Sequence, residues 1–224
     1  MSNEGKQYGS QYWLRVAVNS ARNLLNSAVG HELGLQPDEK INWVSPLKPK
    51  YTEFKDGAFL RELGIDLRKV PLKKFWPNGG PVWDALAKTT RGKIILCEAK
   101  AHIPEIDSPN SGASPKSLEL IARSLGQTRT FLGGKPLVDW TRTFYQYSNR
   151  IAHLYLLREL NGLDAYLVNI YFINEETMNG PSTVGEWQGA LTLIKTHMGI
   201  TQTVLSPFIK EVFIDVDDLK KATE

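Results

Sequence analysis

The sequence predicts an α/β fold, a mixed central sheet flanked by helices. Three observations carry it. Two apolar runs, Trp83-Asp84-Ala85-Leu86-Ala87 and Ile94-Ile95-Leu96-Cys97-Glu98-Ala99-Lys100, are joined by the turn signal Thr89-Thr90-Arg91-Gly92 and read as a hairpin. Leu163 to Ile173 is long and rich in branched and aromatic side chains, the composition of a strand. Between these strands, Ser117 to Leu132 and Asp139 to Leu160 carry apolar residues at helical spacing.

The remaining elements follow in order. Gln11 to Val29 repeats Tyr12, Val16, Leu24 and Leu25 loosely at helical spacing and predicts an accessory helical segment within residues 1–45. Around Trp43 to Leu47, Pro46 and Pro49 are expected to break regular structure. Tyr51 to Leu63 then reads as a helix ended by Gly64, and Asp66 to Lys74 as the first strand of the sheet. Trp76 to Pro81 is a turn. The loop 107–116, rich in Pro, Gly and Ser, is expected to lie over a cleft. The long helix is read from an N-cap at Asp139 to Asn161-Gly162, with an apolar stripe of Trp140, Phe144, Tyr147, Ile151 and Leu154. A helix over Val184 to Met198, a strand around Glu211 to Val216 and a charged tail from Asp217 complete a single 224-residue domain with a C-terminal extension over 176–224.

The chemistry concentrates in the hairpin. Thirteen residues separate Asp84 from Glu98, and a loop at Thr90-Arg91-Gly92 sets Lys93 opposite Thr89 and Asp84 opposite Glu98. Strand alternation adds Lys100 to that face, with Val82, Leu86, Ile94 and Leu96, and sends Trp83, Ala85, Ile95 and Cys97 to the other. Two opposed carboxylates repel, so such a pair calls for a cation. Mg²⁺ suits it, since this ion takes oxygen ligands, uses one or two carboxylates and keeps room for a substrate phosphate. Lys100 would orient or help deprotonate the attacking water. A solvated hairpin face carrying a surface ion pair is the competing reading.

The order of elements around Asp84, Glu98 and Lys100 resembles the PD-(D/E)XK nuclease superfamily. The resemblance spans residues 50–175 and departs from the motif at its proline, since Pro81 lies three residues before Asp84. It implies a restriction-endonuclease-like core of helix, three-stranded meander, helix and strand. It also implies Asp84, Glu98 and Lys100 as catalytic residues, and Asp84, Glu98 and the backbone carbonyl of Ala99 as ligands of Mg²⁺ or Mn²⁺. Glu53, on the first helix, is a further metal candidate by the same likeness. On the long helix, Arg142, Gln146, Asn149, Arg150 and His153 fall within one arc; of these, Gln146 and Arg150 are the candidate substrate contacts, against a solvated outer face as the alternative.

Charge agrees in part. The net charge is only +3, but residues 40–100 hold 13 Lys or Arg against 6 Asp or Glu. Lys69, Lys73, Lys74, Lys88, Arg91 and Lys93 flank the hairpin; as one side of a cleft they would attract a phosphate backbone, Lys88 and Lys93 nearest the motif. The expected activity is metal-dependent hydrolysis of nucleic acid, DNA first. The alternative is a noncatalytic binding or assembly module that keeps the fold. The lone cysteine, Cys97, fits a reducing cytoplasm and a buried inert thiol. No membrane partner is expected, and Tyr12 and Trp13 are candidates for a homodimer contact. Phosphate-loop, dinucleotide, zinc and serine-hydrolase spacings are absent from the sequence.

Overall fold

Five strands form one mixed sheet in the order β1-β2-β3-β4-β5. In the computed structural model, which describes residues 7–107 and 111–224, β1 (Ile41–Ser45), β2 (Ala85–Thr89) and β3 (Ile94–Lys100) make an antiparallel meander. β4 (Ala165–Ile173) runs parallel to β3, and β5 (Ile209–Asp215) parallel to β4. Eight α-helices complete the described residues: α1 (Ser10–Asn19), α2 (Arg22–Glu32), α3 (Asp56–Glu62), α4 (Leu72–Phe75), α5 (Pro115–Leu132), α6 (Tyr145–Tyr155), α7 (Val184–Met198) and α8 (Val216–Lys221). The chain therefore has an α/β fold with helices on both faces of a mixed sheet.

Burial on both faces explains why β3 and β4 read as nearly unbroken apolar runs. On one face Leu86, Ile94, Leu96 and Leu167 meet Ile121 and Leu125 of α5, Ile151 and Leu154 of α6, and Trp187 and Leu191 of α7. On the other, Ala85, Ile95, Cys97, Val168 and Val212 meet Leu14 and Val18 of α1, Leu25 and Val29 of α2, and Leu219 of α8. Alternation along β3 thus sends Glu98 and Lys100 to the α6 face.

Several expectations are corrected. The first strand is Ile41–Ser45, not Asp66 to Lys74; its inward positions Ile41, Trp43 and Ser45 are buried, and Pro46 follows the strand instead of interrupting it. Residues 66–74 are a connection leading into α4, whose four residues bury only Phe75. α3 starts at Asp56, which leaves Glu53 in the preceding loop, where Phe54 bridges Trp83. The N-terminal segment is core rather than accessory, since Leu14, Ala17, Val18, Leu25 and Val29 are each at most 1% exposed. Trp13 is buried as well, its indole N–H donating to Glu175, so it offers no exposed dimer contact; Tyr12 beside it is half-buried. α6 begins at Tyr145 with Phe144 in the left-handed region, not at Asp139, and a π-helical turn, Leu156–Leu160, closes it. The charged tail forms α8, capped by the Asp215 carboxylate, which accepts from the Asp217 N–H. Residues 108–110 of the expected cleft loop and residues 1–6 of the N-terminal segment lie outside the described residues.

Candidate active site

The β2–β3 turn sets the geometry of the site. Gly92 takes φ +90°, a conformation that costs a glycine little, and its N–H bonds the Thr89 carbonyl at 2.9 Å. The Thr89 N–H then donates to the Lys93 carbonyl at 2.9 Å, and the ladder pairs Leu86 with Leu96 and Ala85 with Cys97. One further step sets Asp84 opposite Glu98. There the ladder ends, because the chain bends at Asp84. The bend breaks the alternation: Trp83 joins Leu86 and Leu96 on the α6 face, contrary to the expected pattern, and Val82 is 38% exposed. With no strand partner to accept it, the Ala99 N–H donates to Asp84 Oδ2 at 2.8 Å. The N–H and C=O of one strand residue point to the same edge, so the Ala99 carbonyl also faces Asp84.

Glu98 is held from two sides. Lys100 Nζ donates to its Oε1 at 2.6 Å and to Gln146 Oε1 at 3.2 Å. From α6, Arg150 brings Nε to Glu98 Oε2 at 2.6 Å and an NH₂ nitrogen to the same oxygen at 2.5 Å. The guanidinium also donates to the Val82 carbonyl at 2.7 Å and to Asn149 Oδ1 at 2.9 Å, and lies 4.8 Å from the Trp83 ring centre. Asp84, Glu98, Ala99, Lys100, Gln146, Asn149 and Arg150 together line one cleft of about 870 Å³, which also takes in Glu53, Ser10 and Gln11 from the N-terminal side and Ser111 to Ser114 from the loop before α5.

Electrostatics follow from this crowding. Burial first, and Glu98 second, push the Asp84 carboxyl up to about 7. Burial pushes Glu98 the same way, but Arg150 and Lys100 outweigh it and hold Glu98 below its ordinary value. Burial pushes the Lys100 amine down, but the Glu98 and Asp84 carboxylates outweigh it and raise Lys100 above its ordinary value, which favours the ammonium form. Glu53 is raised by burial, with Glu98 adding to it, and accepts from Gln11 at 2.9 Å, with Arg15 at 4.0 Å.

No protein-family model, curated protein or solved structure matches the chain.

Other candidate residues lie elsewhere. Lys93 pairs with the buried Glu39 at 2.9 Å, Lys88 donates to the Leu63 carbonyl at 3.2 Å and Arg91 pairs with Asp38 at 2.8 Å, all at the turn end of the hairpin and outside the cleft. Lys69, Lys73 and Lys74 do not line it either. Arg142 precedes α6 and is exposed beside Asp139. His153 is enclosed by Phe59, Phe75, Trp76 and Trp83, bonded through Nδ1 to the Asn149 carbonyl, and burial pushes its pKa down to about 3. It is a neutral core residue that bears on the site by fixing Asn149. Asn169 was missed altogether. It pairs with Glu98 in the β3–β4 register, is 2% exposed, and shares a small recess behind Glu98 with Tyr147 and Tyr171. Its signal was available in the sequence, as the one amide in the run Ala165 to Ile173, which is otherwise apolar or aromatic.

The cleft lining is not basic. Among the described residues it holds three acids, Glu53, Asp84 and Glu98, against two bases, Lys100 and Arg150. No group of three or more His, Cys, Asp or Glu side chains is arranged among those residues to hold a metal ion. The available donors are two carboxylates and one carbonyl, a set that suits a hard cation which completes its shell with water and substrate oxygens. The raised pKa of Asp84 comes first from burial and only second from the Glu98 charge.

Proposed function

We propose that the protein is a metal-dependent phosphodiesterase that hydrolyses nucleic acid, DNA first, with a core of the PD-(D/E)XK type. One observation carries this: the half-buried Asp84 and Lys100 converge with the buried Glu98 and the Ala99 backbone in a cleft large enough for a nucleotide chain. The element order supports it in part: a helical segment precedes β1, α3 and α4 intervene before β2 and β3 complete the antiparallel meander, and two helices and a parallel strand follow.

Asp84, Glu98 and the Ala99 carbonyl would hold Mg²⁺ or Mn²⁺, with Glu53 at the rim. When bound, the ion supplies Lewis acidity at the phosphoryl group and lowers the pKa of water at the site. The chain itself supplies position and charge. Lys100, fixed between Glu98 and Gln146, offers its remaining N–H to the attacking water and keeps positive charge beside the phosphorus as negative charge builds there. A lining with more acids than bases repels a polyanion, so the cation is required for substrate entry as well as for chemistry.

One observation favours a noncatalytic binding module: both Glu98 oxygens already accept from cations of the chain itself. Incubation with single- and double-stranded DNA and RNA, with Mg²⁺ or Mn²⁺, separates the readings. Cutting that needs the metal and falls on the order of 10²-fold or more in Glu98→Ala and Lys100→Ala is expected. Binding of the same substrates by wild type without any cutting would sink the enzyme and leave the module.

A further inference from the structure

Arg150 is more constrained than a substrate contact on a helix face needs to be. It is 5% exposed, and two of its nitrogens converge on the single oxygen Oε2 of Glu98. Oε2 accepts from the Arg150 Nε–H with a second guanidinium nitrogen against it, and Oε1 already accepts from Lys100. A cation arriving at Glu98 must therefore displace a donor or stand among positive charges. The two donors differ in what they would lose. Without Glu98, Lys100 keeps one contact, to Gln146 at 3.2 Å. Without Glu98, Arg150 keeps the Val82 carbonyl, Asn149 Oδ1 and the Trp83 ring, so its guanidinium stays in place.

We propose that Arg150 is a built-in counter-ion that yields Glu98 when the site takes up a divalent cation, and that the freed guanidinium becomes the anchor for a substrate phosphate. The inference rests on the metal-dependent reading above and adds a regulatory step to it. In the metal-free state the guanidinium neutralises Glu98 and is closed to anions. In the loaded state a planar pair of N–H donors faces the cleft with no carboxylate to satisfy it, the fork geometry that phosphate oxygens accept. Metal and anion then bind cooperatively, because the first ligand creates the donor that the second requires.

Nuclear magnetic resonance reads both steps without altering the protein. The Ala99 amide, hydrogen-bonded to Asp84, reports arrival of the cation, and the Arg150 Nε–H, hydrogen-bonded to Glu98, reports release. Titration of Mg²⁺ into the ¹⁵N-labelled chain is expected to move both signals with one midpoint. Thymidine 5′-monophosphate is then expected to move the Arg150 signal only when Mg²⁺ is present. A shifted Ala99 amide with an unmoved Arg150 Nε–H overturns this inference and leaves the metal site standing. Equal response of Arg150 to the nucleotide with and without Mg²⁺ also overturns it. No response of either signal to Mg²⁺ removes the metal reading and this inference with it.

Discussion

Asp84 is a carboxylate kept where its charge is poorly tolerated, and its titration should be visible in the stability of the metal-free protein. Its pKa is raised from the ordinary value near 3.8 to about 7 by burial and by Glu98. The folded state therefore binds this proton more tightly than the unfolded chain does. Its stabilising contribution is full below about pH 4, drains away as pH rises, and is gone above about pH 7. Glu98, shifted the other way, acts only at the acid end, where its contribution is lost as pH falls. The expected result is a thermal midpoint that drops by roughly 5–10 °C between pH 5 and pH 8 in metal-free buffer. In Asp84→Asn, scanning calorimetry should show that slope flattened; an unchanged slope would exclude Asp84 as its source. The register of β2 against β3 was legible as far as Ala85 opposite Cys97, because turn chemistry fixes register. The commitments of Lys88 and Lys93 were not, since their partners Leu63 and Glu39 come from segments 25 and 54 residues away.

Element by element, what could be read depended on how local the determinant is. α7 runs over Val184–Met198 as the sequence indicates, because its start is written in four consecutive residues: the Thr183 hydroxyl accepts from the Glu186 N–H while the Glu186 carboxylate accepts from the Thr183 N–H. Removing half of that exchange with Thr183→Ala should cost about 1 kcal/mol in urea unfolding, with no change in any cleavage activity. A loss of several kcal/mol would mean that the cap also secures tertiary contacts. β1 shows the opposite case. Five residues, Ile-Asn-Trp-Val-Ser, give only three inward positions, and Pro46 and Pro49 beside them look like breakers until the strand is seen to end first. α6 misleads for a third reason. Its band of Gln146, Asn149 and Arg150 has the period of a solvated face, yet every residue from Tyr147 to Tyr155 is buried. Periodicity reports which side chains share a side, and it does not report whether water or a buried carboxylate lies on that side.

Across the whole molecule, the sheet divides the apolar interior into two layers, and the C-terminal residues are needed to close one of them. Val212, Ile214, Val216 and Leu219 are each at most 2% exposed in the layer shared with α1 and α2. Burying four such side chains contributes roughly 6–12 kcal/mol at about 1.5–3 kcal/mol each. That is comparable with the roughly 5–15 kcal/mol by which a folded protein is stable at all. Deleting residues 209–224 should therefore abolish the cooperative unfolding transition seen by circular dichroism, although the deletion removes no residue of the cleft. A truncated chain that still melts cooperatively would show that the extension is dispensable. The same long reach governs the order in which the candidate site comes into being. Glu98 and Arg150 are 52 residues apart in sequence, so a growing chain presents Asp84, Glu98 and Lys100 to the cell well before α6 exists to cover them. During synthesis the two carboxylates emerge without the guanidinium that holds one of them, and the cleft has no far wall. A half-made chain on the ribosome therefore lacks the assembled candidate site until translation has passed residue 155.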